Sequence, residues 1–156
     1  MKRVITIFCL LLTAFLLSDG VQPEGLGIEE NPYQVETLDN LLWISTNCDS
    51  WWWNSYFIQT ADIDASDTQN WNDGDGFSPI GVNNDAFRGI YNGANHFIDG
   101  LYINRPESHR IGLFGFTSDA VIESLGVTNV SVTGDSIVGG LVGKNYDSAI
   151  NECYAT

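Results

Sequence analysis

Gly112-Leu113-Phe114-Gly115 and Gly140-Leu141-Val142-Gly143 are two copies of one step, an apolar pair bracketed by glycines, 28 residues apart (140 − 112). Seven positions after the last glycine of each comes an isoleucine, Ile122 and Ile150, opening an Ile-x-x-Leu/Cys step that ends at Leu125 and Cys153. An earlier copy, Ile98-Asp99-Gly100-Leu101, stands 24 residues before Ile122 (122 − 98). Self-similarity at such a period marks a solenoid, whose short units bury their apolar sides only against their neighbours.

Outward from these steps the chain is a run of very short apolar segments parted by Gly, Asn, Asp or Ser, at residues 96–98, 101–103, 111–116, 121–125, 127–132, 137–142 and 149–154. That rhythm predicts an all-β fold, a parallel β-helix with about three strands per coil. The period places Ile98, Ile122 and Ile150 in one internal ladder, Leu101, Leu125 and Cys153 in a second, and Leu113 with Leu141 in a third. The bracketing glycines then sit where the backbone needs positive φ or a close approach. An antiparallel sandwich is the competing fold, but it leaves the constant glycine-to-isoleucine offset unexplained.

Upstream, Met1-Lys2-Arg3 and the apolar run at residues 4–17 read as a secretory signal peptide over residues 1–20, with Ser18 and Gly20 as the small residues of a cut after Gly20. Residues 21–30 read as a flexible lead-in, and residues 31–156 as one domain. Thr37 is placed to N-cap a short helix over residues 38–46, with Leu38, Leu41, Leu42 and Ser45 on one face, closing the open end of the solenoid. Residues 57–64 alternate as a strand, residues 65–78 read as a polar loop, and residues 105–109 as an outward loop.

The resemblance is to the GLUG motif of bacterial exported repeat proteins. It rests on Val138-Gly139 leading into Gly140-Leu141-Val142-Gly143 with Asn145 behind, and on Asn31-Pro32-Tyr33, Thr60-Ala61-Asp62-Ile63-Asp64, Pro79-Ile80-Gly81, Asp99-Gly100-Leu101-Tyr102-Ile103-Asn104-Arg105-Pro106 and Gly112-Leu113-Phe114-Gly115. It implies a right-handed parallel β-helix with an N-terminal capping helix, secreted or at the cell surface, acting as an adhesin-like scaffold or binding module without catalysis. Surface glycans or extracellular proteins are its expected partners. Such proteins carry more GLUG rungs than the two seen here, so the chain is expected to continue beyond Thr156.

Six Lys and Arg against 20 Asp and Glu give a formal net charge of −14, which repels phosphate backbones and excludes nucleic acid as a partner. No membrane span is expected in the mature chain. Asp62, Asp64, Asp73 and Asp75 are candidate Ca²⁺ ligands, since carboxylates on a Gly-rich loop supply the oxygens a hard cation wants; a solvated loop is the plainer account. Trp51, Trp52 and Trp53 are candidate stacking platforms for sugar rings, or else cover the capping helix. Export permits a disulfide between Cys48 and Cys153, although Cys153 occupies the slot of Leu101 and Leu125 and reads better as a small buried apolar residue. His96 and His109 have no evident catalytic partner. Asp99 with Glu123, from neighbouring rungs, is the best carboxylate pair for the alternative function, a carbohydrate-active lyase or hydrolase.

Overall fold

The computed structural model describes residues 19–47, 54–82 and 85–156. In chain order its elements are β1 (Tyr33–Val35), α1 (Leu38–Thr46), β2 (Tyr56–Gln59), β3 (Ile63–Asp64), β4 (Ile90–Asn92), β5 (Phe97–Asp99), β6 (Tyr102–Ile111), β7 (Phe114–Ser118), β8 (Val121–Glu123), β9 (Gly126–Thr128), β10 (Ser131–Val138), β11 (Val142–Tyr146), β12 (Ala149–Asn151) and β13 (Tyr154–Ala155). Two 3₁₀ turns, Ser66–Asn70 and Asn72–Gly74, lie between β3 and β4.

Every ladder between these strands is parallel, which removes the sandwich alternative. The chain visits four sheets in turn, β4 to β7, then returns to each with β8 to β11, then begins again with β12 and β13. There are thus four strands to a circuit, not three. The corners allow this because each turns on one left-handed residue: Asn95, Ser124 and Glu152 after the first strand, Gly100 and Asn129 after the second, Asp119 and Asp147 after the fourth. Glycine, Asn and Asp accept that conformation at least cost, which is why the segments end in those residues.

The ladders only partly follow the expected columns. Leu113 and Leu141 do stack, because Phe114 pairs with Val142 in the next position. Ile122 stacks on Ile150 but also on Tyr91, whereas Ile98 belongs to another sheet, between Ile63 and Val127. The reason is the length of the circuit. Tyr91 to Ile122 spans 31 residues (122 − 91) and Ile98 to Val127 spans 29 (127 − 98), so an offset of 24 falls one strand short. Leu101 likewise lies level with Val130, while Leu125 lies level with Cys153.

The core runs up the middle of these circuits. Phe57, Phe87, Phe114 and Tyr91 are fully buried and in ring contact, Phe87 to Phe114 at 5.0 Å and Tyr91 to Phe114 at 5.6 Å. Within it the Tyr91 hydroxyl donates to Gln59 Oε1 at 3.1 Å, and Gln59 Nε2 donates to the carbonyls of Ala61 and Phe97. The buried polar group is therefore satisfied on both ends.

Helix α1 has the expected bounds. Thr37 Oγ1 accepts from Asn40 N at 3.2 Å, and Asn40 Oδ1 accepts in return from Thr37 N at 3.1 Å. Its buried face is Asn40, Leu41 and Ile44 rather than Leu38, Leu42 and Ser45. Asn40 Nδ2 also donates to Val21 O at 2.8 Å. Residues 21–30, read as a loose lead-in, are tied down by this bond and by Gln34 N donating to Glu24 O at 2.7 Å. They cover the outer edge of β1, the edge strand of the five-stranded sheet, as an exposed strand edge requires. Residues 105–109 are not a free loop but the exposed middle of β6, still paired to β10 through a register shift.

Candidate functional site

That register shift shapes a concavity. Between the pairs Arg105–Gly134 and His109–Ser136, β6 takes four steps (109 − 105) where β10 takes two (136 − 134). Pro106, which has no N–H to give a ladder, sits in the surplus. A bulge of this kind re-aims side chains. It is followed by Arg110 in the left-handed conformation (φ 61°), with Ile137 (φ 59°) level with it on β10.

The resulting cleft has a volume of about 790 Å³. Arg105 and Arg110 bring guanidinium groups to its lining, His109 an imidazole, and Ser45, Ser78 and Ser108 hydroxyls; Ile111 and Ile137 form an apolar wall. Among the described residues no Asp or Glu lines it, in a chain with 20 of them.

Arg105 is held from below: its Nε donates to Phe77 O at 3.3 Å, its Nη2 donates to Ser78 Oγ at 3.1 Å, and Asp75 Oδ2 stands 3.8 Å from its Nη1. Arg110 lies over the Phe116 ring, Cζ 5.0 Å from the centroid, and Lys144 shares that ring with Nζ at 4.8 Å. The glycine-bracketed steps make this possible. A Cβ on Gly115 would stand 2.6 Å from Arg110 O and 2.7 Å from Gly81 O, and one on Gly143 would stand 2.7 Å from Ile111 N. None of Gly112, Gly115, Gly140 and Gly143 has positive φ; close approach of neighbouring backbones is what excludes a side chain there.

His109 Nδ1 meets both Asp135 Oδ2 at 3.0 Å and Ser136 Oγ at 2.7 Å. This is a Ser, His and Asp together, but both partners sit on one ring nitrogen. A catalytic relay needs the nucleophile and the carboxylate on opposite nitrogens. His96 also has a partner, Asp62 Oδ1 at 3.0 Å. Neither pairing was visible in the sequence, because both cross between strands.

The other anticipated site residues are dispersed. Asp62 also accepts from Phe97 N, Asp64 accepts from Ser66 N at 2.9 Å, Asp75 faces Arg105, and Asp73 lies in a 3₁₀ turn in the left-handed conformation. Among the described residues no three His, Cys, Asp or Glu gather as a metal site. The hydrogen bonds from Ser66 hold the Asp64 carboxyl below its ordinary range. Asp99 accepts from Thr128 and Asn129, and Glu123 accepts from Asn92, in two different sheets, so they do not face one another as a catalytic pair. Cys153 is a half-buried thiol whose Sγ lies 3.1 Å from Asn151 O; burial pushes its pKa up. Trp51, Trp52, Trp53 and Cys48 lie outside the described residues.

The cleft itself was missed. Its signal was there, since residues 105–110 hold two of the six Lys and Arg and one of the two His of the chain.

The GLUG motif is matched at residues 134–156, which span the end of β10, the second glycine-bracketed step and the strands after it. Halomucin of Haloquadratum walsbyi is 33% identical over 137 residues, covering 84% of this chain and 2% of that protein. A Gly-rich membrane protein of Evansella cellulosilytica is 36% identical over 131 residues, covering 78% of this chain and 14% of that protein. The chain thus spans a small part of the length of either relative. No solved structure matches it.

Proposed function

We propose that this GLUG-containing chain is an extracellular or cell-surface module, an adhesin-like scaffold that binds glycans or proteins and has no catalysis of its own. Its fold in this reading is a right-handed parallel β-helix capped by α1, the hand being that of nearly all parallel crossover connections. The observation that carries the reading is the recurrence of two circuits in four parallel sheets around the GLUG glycines, which builds a rigid rod with side chains displayed at fixed spacing. Two similar proteins, one named a halomucin and one a membrane protein, support the surface location. So does the signal-peptide pattern of residues 1–20. No described helix is long and apolar enough to cross a membrane.

The lack of catalysis is inferred from the separate engagement of Asp99 and Glu123 and from the one-sided partners of His109. The test is to express the open reading frame in a secreting host and sequence the N-terminus of the exported product. Cleavage after Gly20 and recovery at the surface or in the medium are expected. Retention inside the cell with Met1 in place overturns the reading.

A further inference from the structure

We propose that the cleft on the β6 flank binds a carboxylate-bearing sugar unit, its carboxylate received by Arg110 beside Arg105 and its ring hydroxyls by Ser45, Ser78 and Ser108. The inference rests on the reading of the chain as a binding module and names what that module takes.

The argument begins with charge. Of the four Lys and Arg among the described residues, three converge here: Arg105 and Arg110 line the cleft, and Lys144 shares the Phe116 ring with Arg110. The fourth, Arg88, pairs with Asp119 at 2.9 Å elsewhere. A surface with a formal charge of −14 would scatter its few cations if they served only local pairing. Concentrated in a concavity without lining carboxylates, they make a local positive field that focuses on whatever enters. Arginine is suited to a carboxylate because its planar fork presents two parallel donors.

Size and shape then narrow the ligand. A volume of about 790 Å³ falls in the range of small-molecule sites and far exceeds an inorganic anion. The three serine hydroxyls are matched to a ligand bearing hydroxyls of its own, and the wall of Ile111 and Ile137 offers a sugar's C–H face an apolar surface. The rim argues against a long polyanion. Asp75 flanks Arg105 and Asp135 flanks His109, so a second and third charge along a chain would meet repulsion. One carboxylate among hydroxyls fits both the centre and the rim.

Calorimetric titration of the chain with digalacturonate tests this, with digalacturonate methyl ester and inorganic sulfate as the other arms. Saturable binding of digalacturonate is expected, weakened by added salt, and about tenfold weaker for the ester, which keeps the shape and loses the charge. Arg110→Gln should weaken it by a similar factor, and Arg88→Gln should leave it unchanged. Should Arg110→Gln fail to fold, Ser108→Ala and Lys144→Gln are read instead, each expected to weaken binding severalfold. Equal binding of the ester, equal binding by every folded cleft variant, or sulfate binding as tightly as digalacturonate would each overturn the proposal. Absence of any saturation would overturn it too, while leaving export and surface recovery, the readouts of the broader reading, untouched.

Discussion

Gly143 lies one circuit beyond Gly115 and so close to it that a Cβ on Gly143 would stand 2.8 Å from the Gly115 carbonyl oxygen. With Gly81, whose oxygen lies 2.7 Å from the corresponding position on Gly115, they form a column of bare backbone. Replacing Gly115 or Gly143 with Ala should each cost about 1–3 kcal/mol, because the neighbouring atoms are backbone and cannot swing aside. Gly140→Ala should cost less than about 1 kcal/mol, since its Cβ would meet only the side chains of Ala155 and Val130, at 3.0 and 3.1 Å. Urea denaturation of the three variants checks the ranking, and equal costs would refute the column.

Tyr91 is fully buried, and burial raises its pKa well above the ordinary 10.0. In the unfolded chain its hydroxyl ionises near pH 10.0, while the folded chain still holds the proton. The unfolded state then binds fewer protons, so stability is complete below that pH and falls as the pH rises beyond it, by up to about 1.4 kcal/mol per pH unit. Tyr91→Phe should remove this alkaline slope and, by leaving Gln59 Oε1 without its donor, cost about 1–3 kcal/mol at neutral pH. Denaturant melts between neutral and alkaline pH separate the two effects.

Ile122 and Ile150 pair directly, yet Ile122 is 0% exposed and Ile150 is 38% exposed. Ile122→Ala should therefore cost about 2–5 kcal/mol, as a buried deletion does. In this chain Ile150→Ala should cost less than about half of that, since water already reaches its side chain. Chemical denaturation of both variants tests whether the second circuit shields the first.

Asn40 closes the capping box and also ties α1 to Val21. Asn40→Ala should cost about 1–2 kcal/mol. Asn40→Asp keeps the acceptor for Thr37 N and loses the donor to Val21 O, and should recover part of that loss. Hydrogen exchange at the Val21 to Gln34 amides should quicken in both variants, because the bond to Val21 is gone in each.

Calcium should shift the melting temperature by less than about 1 °C at millimolar concentration, since a stabilising ligand must bind the native state selectively and Asp62, Asp64 and Asp75 are already engaged with three different partners. A scan with and without chelator decides it, and a large upward shift would restore the carboxylate loop as a cation site.

Much of the architecture was written locally. The capping box of α1 needs only residues three apart, and Thr37 with Asn40 announces it. The corner residues Asn95, Asp119, Asn129 and Asp147 mark the strand ends by their own tolerance of positive φ. Ladder partners were harder, because they depend on the exact circuit length. Insertions of one or two residues between rungs moved Ile98 and Leu101 into columns other than those their spacing suggested.

By itself the sequence determined that short parallel strands would recur, where their glycines must fall and where the first helix begins, because each of these follows from backbone conformation within a few residues. Only the tertiary structure decided that there are four strands to a circuit, that the glycines serve close approach rather than positive φ, and that Arg105, Arg110 and Lys144 converge. Those depend on atoms brought together from positions about 28 residues apart or more (143 − 115), across a register that spacing alone does not specify to the residue.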